Sequence, residues 1–209
     1  MALVKYNDRS LRNLTTAPAA VTSSPGALVH IKTLTASSSS TLSFVDGSDS
    51  VVLDNTYPIY KFEFINIHPS EASRPQFNVS IDSGSNYNVA KTTTFFASYH
   101  AESGGSTGGL GYSTGGDLAQ GTGVQRLGGD TDADNDTAMS GTLTLFNPSS
   151  TTFVKHFIGT TQQVSTAYSQ ELFLSGYANT TSAINAIQFS QDTGTIQTGT
   201  IKLYGIKDA

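Results

Sequence analysis

Residues 57–67 read Tyr57-Pro58-Ile59-Tyr60-Lys61-Phe62-Glu63-Phe64-Ile65-Asn66-Ile67. Apolar and polar side chains alternate along this stretch, with Tyr60, Phe62 and Phe64 on one side and Lys61 and Glu63 on the other. Successive side chains of a β-strand point to opposite faces of the sheet, so this alternation predicts a half-buried strand.

The same alternation recurs through most of the chain. Further strands are predicted within residues 28–34, 42–44, 77–81, 87–100, 141–147, 153–158, 171–177, 184–189 and 198–206. No stretch has a convincing 3.6-residue apolar period, and enrichment in Thr, Val, Ile, Phe and Tyr is typical of strands. Short strands without intervening helices predict an all-β fold, an antiparallel β-sandwich of jelly-roll type.

Turn residues predict three hairpins within this sandwich, because glycine accepts the positive φ that tight turns require. The predicted pairs are 77–81 with 87–100 across Ser83-Gly84-Ser85-Asn86, 141–147 with 153–158 across Pro148-Ser149-Ser150, and 184–189 with 198–206 across Gln191-Asp192-Thr193-Gly194.

The predicted organisation is an arm followed by one domain. Residues 1–25 are polar and irregular, which predicts an extended N-terminal arm, and residues 26–209 are predicted to form a single β-sandwich domain. Between Glu102 and Asp130 lie 11 of the 20 glycines. This cluster predicts a long, exposed Gly-rich loop at residues 103–129, with one short strand around Tyr112.

Composition excludes several classes of function. The chain has 11 Lys and Arg against 16 Asp and Glu, for a net charge of −5, so neither nucleic acid nor an acidic membrane is expected as a partner. It has no cysteine, which excludes disulfides, thiolate zinc sites and thiol nucleophiles. No apolar run approaches the ~20 residues that span a bilayer.

Two segments partly resemble known ligand-binding motifs. The pairs Gly109-Leu110-Gly111 and Gly121-Thr122-Gly123 lack the third glycine and the following helix of a phosphate-binding motif. The acidic run 130–136 begins like a calcium-binding EF-hand loop, but Asn135 stands at its sixth position and Gly141 at its twelfth, where Gly and Glu are required. A calcium site and a solvated acidic turn both stay open for Asp130–Asp136.

No catalytic residue, cofactor or metal ligand is singled out, and the chain is not expected to be an enzyme. The histidines are predicted in or beside four separate strands, with structural roles, and no motif selects two carboxylates for glycoside hydrolysis. A Ser/His/Asp triad assembles in space, so a hydrolase stays an alternative. The residues considered are His30, His68, His100, His156, Glu63, Glu71, Glu102 and Glu171.

Aromatic side chains at strand spacing are expected in the core: Phe62, Phe64, Phe95, Phe96, Phe146, Phe153, Phe157, Phe173 and Phe189.

Seven stretches in order carry a resemblance over nearly the whole chain: Lys5–Ser10, Ile31–Ser40, Tyr60–Pro69, Asp117–Gly123, Leu145–Phe157, Asn179–Ile184 and Gly199–Ile206. Together they resemble a family of small virion structural proteins of tailed bacteriophages of aquatic bacteria, including cyanophages. The resemblance implies a non-catalytic virion component, made in the bacterial host cytoplasm and located on the virion surface.

The resemblance allows two placements on the particle. A capsid decoration or cement protein would bind the major capsid protein and copies of itself, as a homo-oligomer such as a trimer, with residues 1–25 laid over neighbouring subunits. A tail-fibre or receptor-binding protein would instead expose residues 103–129 to the host. The chain lacks a heptad or fibrous repeat that would make a shaft, which favours decoration.

Overall fold

The computed structural model describes residues 27–104, 107–165 and 167–207, and these residues form strands and no helix. The predicted all-β class is confirmed. The predicted arm, residues 1–25, lies outside the described residues. The strands are β1 (Leu28–Thr35), β2 (Thr41–Val45), β3 (Ile59–Pro69), β4 (Pro75–Ser80), β5 (Lys91–Ala101), β6 (Gly108–Tyr112), β7 (Gln125–Arg126), β8 (Met139–Phe146), β9 (Lys155–Ser165), β10 (Tyr168–Ala178), β11 (Ala186–Gln191) and β12 (Ile196–Ile206).

The strands form two antiparallel sheets that pack face to face. The large sheet has the order β1-β12-β3-β8-β9-β10-β5-β6, and the small sheet has the order β2-β11-β4-β7. Phe189 of the small sheet contacts Phe62 and Phe64 of the large sheet, with ring centroids 5.4 and 5.3 Å apart. Phe77 meets Phe157 in the same way at 5.4 Å. The molecule is therefore an antiparallel two-sheet β-sandwich, with an aromatic core between the sheets.

The stretch around Phe62 forms β3, which lies inside the large sheet between β12 and β8. Tyr60, Phe62 and Phe64 are buried, whereas Lys61 and Glu63 point to the other face and pair with each other at 3.0 Å. One row of the inner face crosses six strands through paired residues: Phe95, Leu174, Gly159, Leu143, Phe62 and Leu203. The predicted alternation of this strand is confirmed.

Only one of the three predicted hairpins forms as expected. β8 and β9 pair directly, with Leu145 opposite Phe157. β4 and β5 belong to different sheets, and so do β11 and β12, so those two hairpin predictions are wrong. A strand with one buried face packs as well across the sandwich as beside its neighbour, and a turn signal cannot distinguish the two arrangements.

A bulge interrupts β3 where its register shifts against β8, between Phe64 and Ile67. Asn66 adopts a φ of 50°, and its backbone N–H donates to Ser140 Oγ at 3.0 Å. On the β12 side the same irregularity lies opposite Gly199, which has a φ of 120°. Past the bulge His68 turns inward and becomes buried.

The glycine-rich segment is tied to the sandwich over much of its length. Its first part forms β6, in agreement with the short strand predicted around Tyr112. Later, Gly121 and Lys91 exchange backbone hydrogen bonds of 2.8 and 3.0 Å. Gly116 lies so close to the Phe95 ring that a Cβ there would be 2.2 Å from it. Glycines in this segment thus allow the backbone to pack against the core.

The predicted core aromatics divide into two groups. Phe62, Phe64, Phe95, Phe157 and Phe189 are buried, whereas Phe96, Phe146 and Phe173 are only half-buried on the opposite face of the large sheet. For Phe153 the prediction is wrong, because this side chain is 69% exposed. Phe153 lies in the turn before β9, where Ser150 Oγ accepts its backbone N–H at 3.2 Å.

Candidate interaction surface

The four histidines lie apart and show no shared chemistry. His30 and His156 are exposed on β1 and β9, in agreement with solvent-face positions. His68 is buried at the end of β3 and donates from Nδ1 to the Thr137 carbonyl oxygen at 2.6 Å. That bond satisfies the ring nitrogen and fixes the loop that follows the acidic run.

His100 and Glu171 do line one shallow surface depression, together with Ser98 and Ser169. A nucleophile and its base must lie within hydrogen-bond reach, roughly 2.6–3.2 Å. Within residues 27–104, 107–165 and 167–207, the His100 ring makes no hydrogen bond, and Ser169 Oγ bonds only Gln162, at 3.5 Å. Glu63 pairs with Lys61 on another strand, so the structure does not join it to this group.

The acidic run is held by contacts that compete with a metal ion. Arg74 Nη2 contacts Asp130 Oδ1 at 2.6 Å. Thr137 Oγ1 donates to the carbonyl oxygens of Asp132 and Asp134, at 2.5 and 2.9 Å. Nowhere in the described part of the chain do three or more His, Cys, Asp or Glu side chains converge as a metal site would require.

Two lysines at the starts of β5 and β9 are fully buried. Lys91 donates from Nζ to Asn78 Oδ1 at 2.6 Å and to the Val89 carbonyl oxygen at 2.7 Å. Lys155 Nζ donates to the carbonyl oxygens of Phe153 and Thr180, at 2.7 and 3.1 Å. Burial lowers the pKa of Lys91 to about 8 and also lowers the pKa of Lys155. Lys91 links β4 to the segment before β5, and Lys155 links the segment before β9 to the one after β10, so both have a structural role.

The outer face of the large sheet carries a row of aromatic side chains. The small sheet covers the inner face, and among the described strands none covers the outer one. Tyr112, Phe96 and Phe173 lie side by side on it, since Tyr112 pairs with Phe96 and Phe96 with Phe173. The two phenylalanine rings stack with centroids 4.9 Å apart and planes 12° from parallel.

Other apolar side chains extend this patch across the sheet. Five large ones are well exposed on this face: Leu28 at 47%, Ile65 at 39%, Leu110 at 72%, Tyr112 at 55% and Ile158 at 54%. Between them lie short hydroxyl side chains such as Thr94 and Ser175, whose Oγ atoms are 2.8 Å apart. Leu110, Tyr112, Phe96 and Phe173 are neighbours on three adjacent strands, and a contiguous exposed apolar patch of this kind marks an interaction surface. We call this surface the outer face.

The sequence contained a signal for the outer face. Adjacent residues of a strand point to opposite sides, so the pairs Phe95-Phe96 and Phe157-Ile158 require apolar groups on both faces of the sheet. Assigning every phenylalanine to the core missed this point, and the stacked pair Phe96 and Phe173 was therefore placed inside rather than outside.

No helix long and apolar enough to cross a membrane occurs among the residues that the structure describes. Comparison with known proteins gave no match, whether to a family model, a curated protein or a solved structure.

Proposed function

We propose that the protein is a non-enzymatic virion structural protein, a capsid decoration or cement protein that binds and stabilises the major capsid lattice. One observation carries this proposal: the outer face presents exposed apolar side chains over a sheet of eight strands. At a strand spacing of about 4.8 Å, eight strands extend over about 34 Å, wide enough for a standard protein interface.

The finer features of the proposed fold belong to the same proposal. Most consecutive strands alternate between the two sheets, from β1 to β5 and again from β10 to β12, which supports a jelly-roll type. We place residues 1–25 as an extended arm and the copies as a homo-oligomer on the virion surface, with neither nucleic acid nor membrane as a partner. Within residues 103–129, Gly116 and Gly121 are anchored to the sandwich, and the exposed parts include β6 and residues 122–124.

The proposal is tested by a charge placed on the outer face. Ile158→Lys puts an ammonium group at the centre of the patch, and an unpaired charge buried at an interface costs several kcal/mol. The variant should lose binding to purified empty capsids at least about tenfold in a co-sedimentation assay.

The matched control is Ile81→Lys. Ile81 follows β4 of the small sheet and is 42% exposed, close to the 54% of Ile158, but it lies away from the outer face. The control should bind capsids as the unchanged protein does. Equal binding by both variants, or no binding of the unchanged protein to capsids, would overturn the proposal.

A receptor-binding role is the second candidate, and the exposed Tyr112, Leu110 and Tyr99 around β6 favour it. Aromatic side chains at an exposed edge are common binding anchors. The two roles separate in one experiment: the purified protein adsorbs to host cells if it binds a receptor, and to empty capsids if it is a decoration protein.

A further inference from the structure

The large sheet ends in two edges of opposite character. The β1 edge carries a bulge between His30 and Lys32, and the Lys32 side chain folds inward to pair with Asp49. Bulges and inward-pointing charges are devices that prevent a sheet edge from pairing with another strand.

The β6 edge has no such protection. Its five residues, Gly108–Tyr112, are all exposed and include no charge and no proline. Three of them are glycines, which offer no side chain to shield the backbone, and a Cβ at Gly111 would touch nothing within 4 Å.

The direction of the open backbone groups follows from two hydrogen bonds. Ala101 N–H donates to the Thr107 carbonyl oxygen, and Ser113 N–H donates to that of Phe95, both at 2.9 Å. The odd-numbered residues of this segment therefore face β5, because the bonding direction alternates along an antiparallel strand. Gly108, Leu110 and Tyr112 turn their N–H and C=O groups away from the sheet.

We infer that β6 is an acceptor edge for residues 1–26 of a neighbouring copy, which add to it as a further strand by main-chain hydrogen bonding. This inference rests on the proposed function in one respect, that copies assemble side by side. It identifies which surface of each copy receives the other.

Charge complementarity supports this occupant. Residues 1–26 hold three of the 11 basic side chains and one of the 16 acidic ones, so their formal charge is +2 and that of the remaining chain is −7. Glu102 follows β5 and Asp117 follows β6, so two acidic side chains flank this edge, with Asp117 accepting a 2.6 Å bond from the Tyr112 hydroxyl. Val4 and Tyr6 are residue types enriched in strands, and Leu3 beside them is apolar.

Chain length and position also fit. Ala27 lies beside the start of β1, where its carbonyl oxygen accepts the Lys207 N–H at 2.9 Å. The preceding segment thus leaves from the β1 edge, next to a copy placed alongside. Twenty-six residues extend at most about 90 Å, so they reach the β6 edge of an adjacent copy with residues to spare.

The chain has no cysteine of its own, which makes disulfide trapping unambiguous. Full-length proteins carrying Leu3→Cys, Val4→Cys or Tyr6→Cys are each mixed with a full-length, differently tagged Tyr112→Cys protein and oxidised. Paired residues of neighbouring strands lie within disulfide reach. At least one mixture should give a cross-linked dimer containing both tags. Mixtures in which Gln188→Cys on β11 replaces Tyr112→Cys should give none. Absence of the mixed dimer from all three mixtures would overturn the inference.

A second pair of variants tests whether the backbone edge itself is recognised. Leu110→Pro removes an outward N–H without removing a bond to β5, whereas Leu110→Ser keeps that N–H and removes the apolar side chain. The yield of the mixed dimer should decrease at least about fivefold with the proline variant and stay within about twofold with the serine variant. Equal yields would overturn the inference. All of these readings are made without capsids, so they are separate from failure of capsid binding.

Discussion

Lys91 is an ionisable side chain that is fully buried at the start of β5. Its ammonium group has two oxygen acceptors, Asn78 Oδ1 and the Val89 carbonyl, but neither carries a charge. Hydrogen bonds to neutral oxygens replace only part of the hydration that a cation loses on burial. This loss lowers the pKa of Lys91 to about 8, against 10.5 for an ordinary lysine. The position should therefore make stability depend on pH.

The sign of that dependence follows from proton binding. Between about pH 8 and 10.5 the unfolded chain holds a proton on Lys91 that the folded chain has lost, so stability rises with pH. The free energy of unfolding should increase by about 1 kcal/mol from pH 7 to pH 9 in urea titrations.

Two variants isolate the contribution of this side chain. In Lys91→Met the free energy of unfolding should increase less between pH 7 and pH 9 than in the unchanged protein. In Lys207→Met, which changes an exposed position, the increase should be the same as in the unchanged protein. A rise that persists undiminished in Lys91→Met would assign the effect to other groups.

At the scale of single strands, Gly199 explains how β12 accommodates the bulge of β3. A Cβ at this position would lie 2.6 Å from the Asn66 carbonyl oxygen and 2.8 Å from Ile67 Cα, and the φ of 120° is unfavourable for any other residue. Both obstacles are backbone atoms, which cannot rotate away. Gly199→Ala should therefore destabilise the fold by about 2 kcal/mol in chemical denaturation.

Gly111 on β6 provides the control for this substitution. Nothing lies within 4 Å of a Cβ there, and its φ is not in the left-handed region. Gly111→Ala should change stability by less than about 0.5 kcal/mol. Similar losses for both variants would mean that glycine matters for strand formation in general rather than for the bulge.

Most strands were predictable from the chain, and so was the local pairing of β8 with β9, but the partners of strands far apart in sequence were not. Alternation around Phe62 predicts β3 correctly, because burial of one face is a local property of the sequence. The pairing of β4 with β11 brings Phe77 opposite Phe189, which are more than a hundred residues apart, and no local pattern encodes that choice. The open edge of β6 was missed for the same reason, since only the sheet order shows which strand is last.

In the core between the sheets, Phe189 contacts aromatic rings that belong to both sheets. Phe189 on β11 lies within 5.3–6.4 Å of the ring centroids of four others, Phe44, Phe62, Phe64 and Phe77. Phe189→Ala should cost about 3–5 kcal/mol in urea unfolding, because it leaves a cavity that rigid strands cannot fill.

Phe173 allows the same substitution on the other side of the large sheet. It stacks on a single ring, that of Phe96, and is half-buried, so Phe173→Ala should cost about 1 kcal/mol. A comparable cost for both positions would indicate that the outer face, like the inner one, is part of the folding core.

The opposite placement of β1 and β6 gives each contact built through them a polarity. If residues 1–26 of one copy add to β6 of another, each contact joins two different surfaces. Two copies that exchange these residues reciprocally close a two-fold dimer, but the exchange can also run in one direction along a series of copies. Copies linked in this way follow one another head to tail, and they either close into a ring or continue as a filament. Ring closure leaves no acceptor edge free, so the number of copies is set by the angle between neighbours.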